Sequence, residues 1–433
     1  MGINFPPSPT IGTLWPNPAT AGVPQYTWNG TVWTTVLAPP AFYAQDSAPV
    51  GAPVNALWWD TDSGILFINY KDVSTTQWVA TSSVPAVDTS NFATQTSRLR
   101  NRIVNGAMQI SQEWGNTLSG PTATLSFYPA DQWVASSSTS PGTVSVQRVQ
   151  SVTPRGSQDR LRLVVAAAKT TLTAGDYLMF YQGIEGLQVA DFRWGTAQAK
   201  QVILRFGFKG PAGIYSTRIS NGANNRAYVA NFTIAAGQAN TDTEQVVIIP
   251  GDTTGTWATN ETVGAAVGVA LAAGTNYQGI VGWQAGNIIS TSTNTNGMAA
   301  TNNTFELFDV GLYLDVDSVG VPPKWELPAY DDELRRCQRY WQKLGGGVYS
   351  DLLFGAYGTT GSNIGQGYAF PVEMRTIPTA TVAGTWIVNG CAQPIIAGTS
   401  AKVVGVMATM SASQTAYFLT ADGNCFIRLV ARM

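Results

Sequence analysis

Short segments in which apolar and polar residues alternate run through most of the chain. Examples are VSVQRV (144–149), RLRLVV (160–165), QVILRFGF (201–208) and TFELFDVGLYLDV (304–316). Alternation with a period of two predicts strands that bury one face, and stretches rich in Gly, Asn and Thr separate these segments. We therefore predict an all-β protein in which residues 99–328 form an antiparallel, jelly-roll-like β-sandwich.

The N-terminal 40 residues predict an arm that contains one hairpin. QYTWNGTVWTTV (25–36) places Asn29-Gly30 between two aromatic and β-branched runs, which is a strong hairpin signal. The rest of 1–40 is rich in Pro, Gly and Trp and carries almost no charge. We interpret it as an extended arm that a partner orders.

A small β module is predicted at 41–85 and a polar linker at 86–98. LWWDTDSGILFINY (57–70) indicates strand, turn and strand, and STTQWVAT (74–81) supplies a third strand. Isolated hairpins are only marginally stable. We therefore expect these N-terminal units to be stabilised by oligomerisation or docking, with a homotrimer as the expected assembly.

One helical pattern interrupts the β chain, in DDELRRCQRYWQKL (331–344). Apolar Leu334, Cys337, Trp341 and Leu344 recur at spacings of three and four residues. Acidic residues begin the segment, and three glycines at 345–347 follow it, as expected for a helix. The prediction is a short connector helix within 329–347, followed by a C-terminal β tip domain at 348–433.

The composition argues against several classes of binding site and partner. The chain has no histidine, which removes the commonest general base and metal ligand. Three scattered cysteines form no metal-binding pattern, so no cofactor or metal site is predicted. Net charge is −2 without a dense basic run, which disfavours nucleic acid. The longest apolar stretch, 263–274, is too short for a membrane helix, so no membrane insertion is expected.

Clustered carboxylates are candidate sites. Asp60, Asp62 and Asp72 could chelate Ca²⁺, although turn capping is the favoured interpretation. Asp309, Asp315 and Asp317 share one strand parity, and a carboxylate pair could hydrolyse a glycosidic bond. The favoured interpretation places these three on a solvated outer face, with Leu312, Leu314 and Val316 packing the core. The predicted protein is not an enzyme.

Aromatic and cationic side chains offer further candidates. Cys337 is interpreted as a buried apolar residue, and Arg335, Arg336 and Arg339 as ion-pair partners of nearby acids or of the next subunit. Tryptophans could stack on sugar rings, but burial in cores or interfaces is the favoured interpretation. The candidate tryptophans are Trp58, Trp59, Trp114, Trp133, Trp194, Trp283, Trp325, Trp341 and Trp386.

Four segments resemble parts of a known protein family. RNRIVNGAMQISQEW (100–114), with YPADQWV (128–134) after it, is similar to the opening of a β-sandwich found in bacteriophage tail fibre and appendage proteins. VGLYLDV (310–316) and WELPAYDDELRRCQRYW (325–341) are similar to the C-terminal end of the same β-sandwich. The resemblance implies a virion component, commonly homotrimeric, whose N-terminus docks to other virion proteins and whose C-terminus faces the host.

The resulting expectation is a modular tail fibre or receptor-binding protein that attaches a virion to its host cell. It would assemble in the cytoplasm of the host bacterium and bind surface polysaccharide or protein through its C-terminal domain. Tyr349, Tyr357 and Tyr368 are the predicted receptor contacts, because Tyr and Gly enrich adaptable binding surfaces. Two alternatives stay open: a structural head fibre or decoration protein, and a polysaccharide depolymerase.

Overall fold

The computed structural model describes residues 4–20, 23–36, 40–81, 100–346 and 351–433. The chain divides into two compact units, Met1–Phe92 and Ala93–Met433. Strands dominate both units, so the predicted all-β class is confirmed. The predicted linker at 86–98 and Tyr349 lie outside the described residues.

The first unit begins with a small antiparallel sheet. Its strands are β1 (Leu14–Trp15), β2 (Tyr26–Trp28) and β3 (Trp33–Thr35). The predicted hairpin is confirmed, because β2 pairs with β3 and the Asn29 side-chain oxygen accepts two backbone N–H groups of the turn. Phe5 stacks on Trp33 with ring centroids 4.9 Å apart and so covers one face of this sheet.

The second sheet of this unit contains β4 (Phe42–Gln45), β5 (Leu57–Asp60), β6 (Ile65–Lys71) and β7 (Thr76–Ala80). Strand β4 runs parallel to β5, and the other pairs are antiparallel. Trp58 lies 4.8 Å from Phe67 and 5.6 Å from Trp78, measured between ring centroids. This aromatic cluster is a small core, as expected for a module of this size.

The second unit begins with the β-sandwich. In chain order, its strands are β8 (Thr124–Ala130), β9 (Trp133–Ser138), β10 (Thr143–Gln150), β11 (Asp159–Ala167), β12 (Tyr177–Glu185), β13 (Val202–Lys209), β14 (Gly213–Asn221), β15 (Arg226–Ile234), β16 (Thr243–Ile249), β17 (Val263–Ala273), β18 (Gln278–Gly279), β19 (Gly282–Ala285), β20 (Ser290–Thr291) and β21 (Thr304–Leu314).

Two antiparallel sheets face each other in the sandwich. One has the spatial order β10-β11-β21-β13-β16, and the other has the order β19-β15-β14-β17-β12-β9-β8. Their inward faces bring together large apolar residues such as Phe180, Phe206, Tyr215 and Phe305, all fully buried. The alternation in the sequence reflects this arrangement, because every second side chain of a strand points into the shared core.

Three small three-stranded sheets form the C-terminal part. Their strands are β22 (Trp341–Gly345), β23 (Leu353–Gly358), β24 (Asn363–Ala369), β25 (Thr379–Ala383), β26 (Ile387–Asn389), β27 (Ile395–Thr399), β28 (Val403–Thr409), β29 (Gln414–Leu419) and β30 (Phe426–Val430). The sheet orders are β22-β30-β25, β23-β29-β26 and β24-β28-β27. Trp386 and Phe418 lie at the centre of their common core.

The connector helix is shorter than predicted. Helix α1 (Gly186–Val189) follows β12, and the predicted helix is α2 (Tyr330–Gln338). Trp341 and Leu344, assigned to its apolar stripe, instead belong to β22, which pairs with β30. The pairing of β22 with the distant strand β30 outweighs the local helical spacing. It satisfies the backbone hydrogen-bonding groups of β22, and Trp341 is still buried. Within the described ranges, no helix is long and apolar enough to cross a bilayer.

Candidate functional site

A cleft of about 330 Å³ opens on the outer face of the seven-stranded sheet. Its floor is β17, the central strand of that sheet. Successive side chains of a strand point to opposite faces. Val267 and Val269 therefore pack in the sandwich core, whereas the outward positions of β17 hold the small residues Ala266, Gly268 and Ala270.

Strand register places the walls of the cleft. Tyr181 on β12 and Arg218 on β14 are both paired with Gly268, so they stand on either side of a position that has no side chain. Two residues before Gly268 on β17, Ala266 is paired with Gly183 on β12 and with Ser220 on β14. The cleft exists because β17 carries small outward residues and the larger side chains of Tyr181 and Arg218 stand beside it on β12 and β14.

One wall is aromatic. Tyr177, Met179 and Tyr181 alternate along β12 and face the cleft together. Tyr277, from a 3₁₀ turn after β17, packs edge-on against Tyr177 with ring centroids 5.3 Å apart. The Tyr177 hydroxyl lies 3.3 Å from the Ser136 hydroxyl. Burial raises the pKa of Tyr181, so its hydroxyl stays protonated and can both donate and accept a hydrogen bond.

The opposite wall is polar and centres on Arg218. Only 6% of this residue is exposed. Its Nη1 donates to the side-chain oxygen of Asn287 at 2.9 Å, and its Nη2 donates to the side chains of Ser220 and Asn224. Burial lowers the pKa of Arg218 to about 10, which leaves the guanidinium protonated at neutral pH.

The cleft combines the groups that recognise a sugar ring. Tyrosine faces can pack against the C–H faces of a pyranose, and the guanidinium and amides can hydrogen-bond its hydroxyls. The described lining residues include no Asp or Glu. The arrangement is therefore suited to holding a ligand, and it offers no carboxylate pair for general acid and base chemistry.

The carboxylates of the first unit cap turns. Asp60 accepts hydrogen bonds from the Ser63 hydroxyl and from the Asp62 backbone N–H, and Asp72 accepts the backbone N–H groups of Ser74 and Thr75. The hydrogen bond from Ser63 is the largest influence that lowers the pKa of Asp60. Among the described residues, no group of three His, Cys, Asp or Glu side chains is placed to hold a metal ion. This agrees with the turn-capping interpretation.

The solvated outer face predicted for Asp309, Asp315 and Asp317 is wrong for Asp309 and Asp315 and right for Asp317. Asp309 and Asp315 are buried, whereas Asp317 is exposed. A bulge in β21 opposite Phe206 interrupts the alternation of inward and outward side chains, and Asp309 lies in this bulge with a φ of 49°. Asp315 follows the strand and accepts the side-chain amide of Gln201 together with the backbone N–H groups of Val319 and Gly320. Leu312 and Leu314 do pack in the core, as predicted.

The tryptophans are mostly structural. Trp58, Trp133, Trp194, Trp325, Trp341 and Trp386 are buried, and Trp283 packs against the sandwich core. Trp59 and Trp114 are exposed. The described residues that line the cleft include none of these nine tryptophans. The aromatic wall is made of tyrosines, which the sequence pattern did not single out.

The predicted receptor tyrosines have different environments. Tyr357 on β23 is exposed. Tyr368 on β24 packs against the C-terminal core, and burial raises its pKa. Tyr349 lies outside the described residues. A receptor contact at Tyr357 stays a prediction, and Tyr368 offers less surface for one.

The family-like segments meet at the joint between the sandwich and the C-terminal sheets. Arg336 pairs with Glu333 at 2.9 Å and donates to two backbone carbonyls of 101–103. The Asn105 side chain donates to two buried carbonyls, and its backbone N–H bonds to Glu333. Cys337 is buried, which raises its pKa well above the ordinary thiol range. These residues hold the joint together and do not form a binding site.

No family model and no curated protein matches the chain. Among solved structures, it is similar to the enzymatically active domain of tailspike protein 4 of bacteriophage CBA120, with 15% identity over 49% of this chain and 21% of that one, and a TM-score of 0.26. The chain thus spans about a fifth of that tailspike chain.

Two carbohydrate-binding modules also match. One is a family 11 module of a Clostridium thermocellum cellulase, with 13% identity over 48% of this chain and 98% of the module, and a TM-score of 0.23. The other is a tandem of family 22 modules from Paenibacillus barcinonensis, with 8% identity over 74% and 98%, and a TM-score of 0.22. At these scores the likenesses do not identify a function, so any functional proposal has to rest on the cleft.

Proposed function

We propose that the chain is a carbohydrate-binding subunit of a bacteriophage tail fibre or related appendage, and that its cleft holds a polysaccharide of the host surface. The observation that carries the proposal is the placement of Tyr181 and Arg218 on either side of Gly268, so that an aromatic ring and a buried guanidinium both line the cleft, with Met179 packed over the glycine between them. A pyranose has an apolar face and a polar rim, and this row offers a partner for each.

The shape of the cleft supports a saccharide ligand. Its volume of about 330 Å³ lies at the lower end of the range for ligand pockets, and it is open to solvent on one side. A sugar unit could therefore bind while the rest of a polymer extends outside. Hydrogen bonds already fix Arg218 and Asn287 in place, so binding would cost little side-chain entropy.

The role in attachment rests on the resemblance of 100–114 and 325–341 to phage appendage proteins. In this proposal the chain is a homotrimer, its N-terminal unit docks to other virion proteins, and the sandwich carries the sugar site. Several weak sites on one particle would then give firm adhesion, because linked sites gain avidity. We expect the purified chain to sediment at the mass of a trimer, and a stable monomer would contradict this assembly.

Blocking the cleft tests the proposal directly. Ala266 lines the cleft and lies between Gly183 and Ser220 in the ladder, so the larger side chain in Ala266→Leu would occupy part of the cleft. We expect Ala266→Leu and Tyr181→Ala to weaken binding to host polysaccharide by tenfold or more, measured by calorimetry on the full chain. Ala236→Leu, at an exposed turn after β15, is the matched control and should bind normally.

The same assay separates the cleft from the predicted C-terminal contact. Tyr357→Ala removes the exposed tyrosine of β23 without touching the cleft. If Tyr357→Ala abolishes binding and Ala266→Leu does not, the receptor site is on the C-terminal sheets and the cleft proposal fails. Virions that carry Ala266→Leu and adsorb normally would instead favour a structural role for the protein.

A further inference from the structure

The charge inside the cleft indicates which class of saccharide it selects. Arg218 is the single charged side chain among the described lining residues. The groups that engage its two Nη atoms are the neutral oxygens of Ser220, Asn224 and Asn287. Within the described part of the chain, no Asp or Glu forms an ion pair with it, so the cleft contains a buried positive charge without a carboxylate side chain as counter-ion.

The other buried arginines of the sandwich are arranged differently. Arg205 pairs with Glu244. Arg160 pairs with Glu306 at 3.1 Å and also with Asp242. Burying a charge is unfavourable unless a partner compensates it, and these arginines have carboxylate partners within the chain. Arg218 departs from this pattern, and it lines a cleft that is open to solvent.

The phenol that faces Arg218 does not supply the missing negative charge. Tyr177, Tyr181 and Tyr277 are the phenols that line the cleft. Burial raises the pKa of Tyr181, the phenol that faces Arg218 across Gly268, so it remains neutral. The last residue, Met433, also lines the cleft, and its carbonyl oxygen accepts a hydrogen bond from the Tyr128 hydroxyl. An anionic group that enters between Tyr181 and Arg218 would therefore meet a hydroxyl donor and a cation that has no carboxylate side chain as partner.

We propose that the cleft selects saccharides that carry a carboxylate, such as uronic acids, and that Arg218 is the residue that determines this specificity. This inference rests on the proposed sugar-binding function. Arginine binds carboxylates in a planar, charge-assisted geometry, and the hydrogen bonds to Ser220, Asn224 and Asn287 hold that plane fixed. The sugar ring would pack on the tyrosine wall while its carboxylate reaches the guanidinium.

A ligand that differs only at the carboxylate tests the inference on the unaltered protein. The probes are uronate-containing bacterial polysaccharides, each paired with its carboxyl-reduced form, in which the acid has become a primary alcohol. Neutral polysaccharides complete the panel. We expect the full chain to bind at least one acidic polymer and to lose about tenfold or more in affinity on carboxyl reduction. Equal binding of the acidic and reduced forms, or a preference for neutral polymers, would overturn the inference.

Variants then assign the preference to the residue. Arg218→Gln keeps a hydrogen-bonding side chain but removes the charge, and we expect it to bind acidic and reduced polymers equally. Arg162→Gln, on the outer face of the other sheet, is the matched control and should keep the preference. An acid preference that survives in folded Arg218→Gln contradicts the inference.

The outcomes also separate this inference from the proposed function. If binding is blocked by Ala266→Leu but is insensitive to carboxyl reduction, the cleft binds sugars and the acid specificity is wrong. If no polysaccharide binds, or if Ala266→Leu leaves all binding intact, both proposals fail. Should Arg218→Gln not fold, the comparison of acidic and reduced ligands on the unaltered chain still decides the question.

Discussion

Arg339 and Glu185 form a two-point ion pair in which Nε and Nη2 of the arginine donate to the two carboxylate oxygens at 2.7 and 2.9 Å. Glu185 ends β12 and is fully buried, whereas Arg339 directly follows α2. The pair therefore ties the sandwich strand that carries the aromatic wall to the start of the C-terminal sheets. Arg339 lies in the segment 325–341, which resembles phage appendage proteins.

Removing the arginine should expose the energetic role of this joint. Arg339→Ala leaves the Glu185 carboxylate buried without its cation, and we expect a loss of about 3–5 kcal/mol in the free energy of unfolding. The control is Lys402→Ala, because the Lys402–Glu373 pair at 3.4 Å is exposed and should contribute about 0–1 kcal/mol. Denaturant unfolding followed by tryptophan fluorescence measures both. Equal effects of the two substitutions would show that the buried pair has no special role.

The glycine of the Asn105-Gly106 pair should be intolerant of a side chain. A Cβ at Gly106 would lie 2.2 Å from the backbone oxygen of Val310, and the Val310 N–H donates to the Gly106 oxygen at 2.9 Å. Gly106→Ala must therefore push apart the first segment and β21, at a cost of about 1–3 kcal/mol. Gly120→Ala is the control, because nothing lies within 4 Å of its added Cβ and its effect should stay within about 0.5 kcal/mol. Equal melting temperatures for the two variants would contradict the close approach.

Asp252 should stabilise the sandwich above acidic pH. Burial alone would raise its pKa, but hydrogen bonds from Arg226, Trp257 and the Gly255 N–H outweigh this and hold the pKa below its usual range. A lowered folded-state pKa adds stability above the unfolded pKa of about 3.9, and this stability is lost as pH falls through the folded value. Asp252→Asn should therefore be destabilised at pH 7 and approach the unaltered chain below about pH 4.

Asp131 should show the opposite dependence. Burial raises its pKa, although the Gln112 side chain donates a hydrogen bond to it. A raised folded-state pKa adds stability below the unfolded pKa of about 3.9, and this stability is lost as pH rises through the folded value. The unaltered chain should therefore lose stability relative to Asp131→Asn as pH rises. Denaturation curves of both Asp→Asn variants between pH 3 and 8 should have opposite trends, and parallel curves would contradict this assignment.

Asp315 should behave as a structural residue. Its carboxylate accepts two backbone N–H groups and the Gln201 amide, which together order the chain after β21. We expect Asp315→Asn to lower the melting temperature and to leave polysaccharide binding unchanged. We also expect that the unaltered chain releases no reducing ends from host polysaccharide. Release that disappears in Asp315→Asn would instead identify a depolymerase.

Local patterns in the sequence predict the strands well, and they fail where distant segments decide the structure. The alternation in β11, β13 and β21 correctly predicts strands, although β13 and β21 are buried on both faces and not on one. The bulge at Asp309 and the early end of α2 at Gln338 depend on partners more than 80 residues away, β13 and β30 respectively. Spacing within one segment carries no information about such partners.

The cleft could not be predicted from the sequence, because it too depends on how distant strands pair. The run VGAAVGVALAAG at 263–274 showed only as an apolar stretch, although its outward positions at 266, 268 and 270 are all Gly or Ala. In STRIS (216–220), Arg218 alternates with Ser216 and Ser220, which indicates a polar face but not its neighbours. Only the register of β12, β17 and β14 brings Tyr181 and Arg218 to the two sides of Gly268.

Binding of host polysaccharide to the outer face of the seven-stranded sheet can be located directly by hydrogen exchange of the full chain, measured with and without bound polysaccharide. We expect added protection in 177–183, 216–224 and 275–289, the segments that form the walls of the cleft, and little change in 351–433. Protection confined to 351–433, with the cleft segments unaffected, would contradict it.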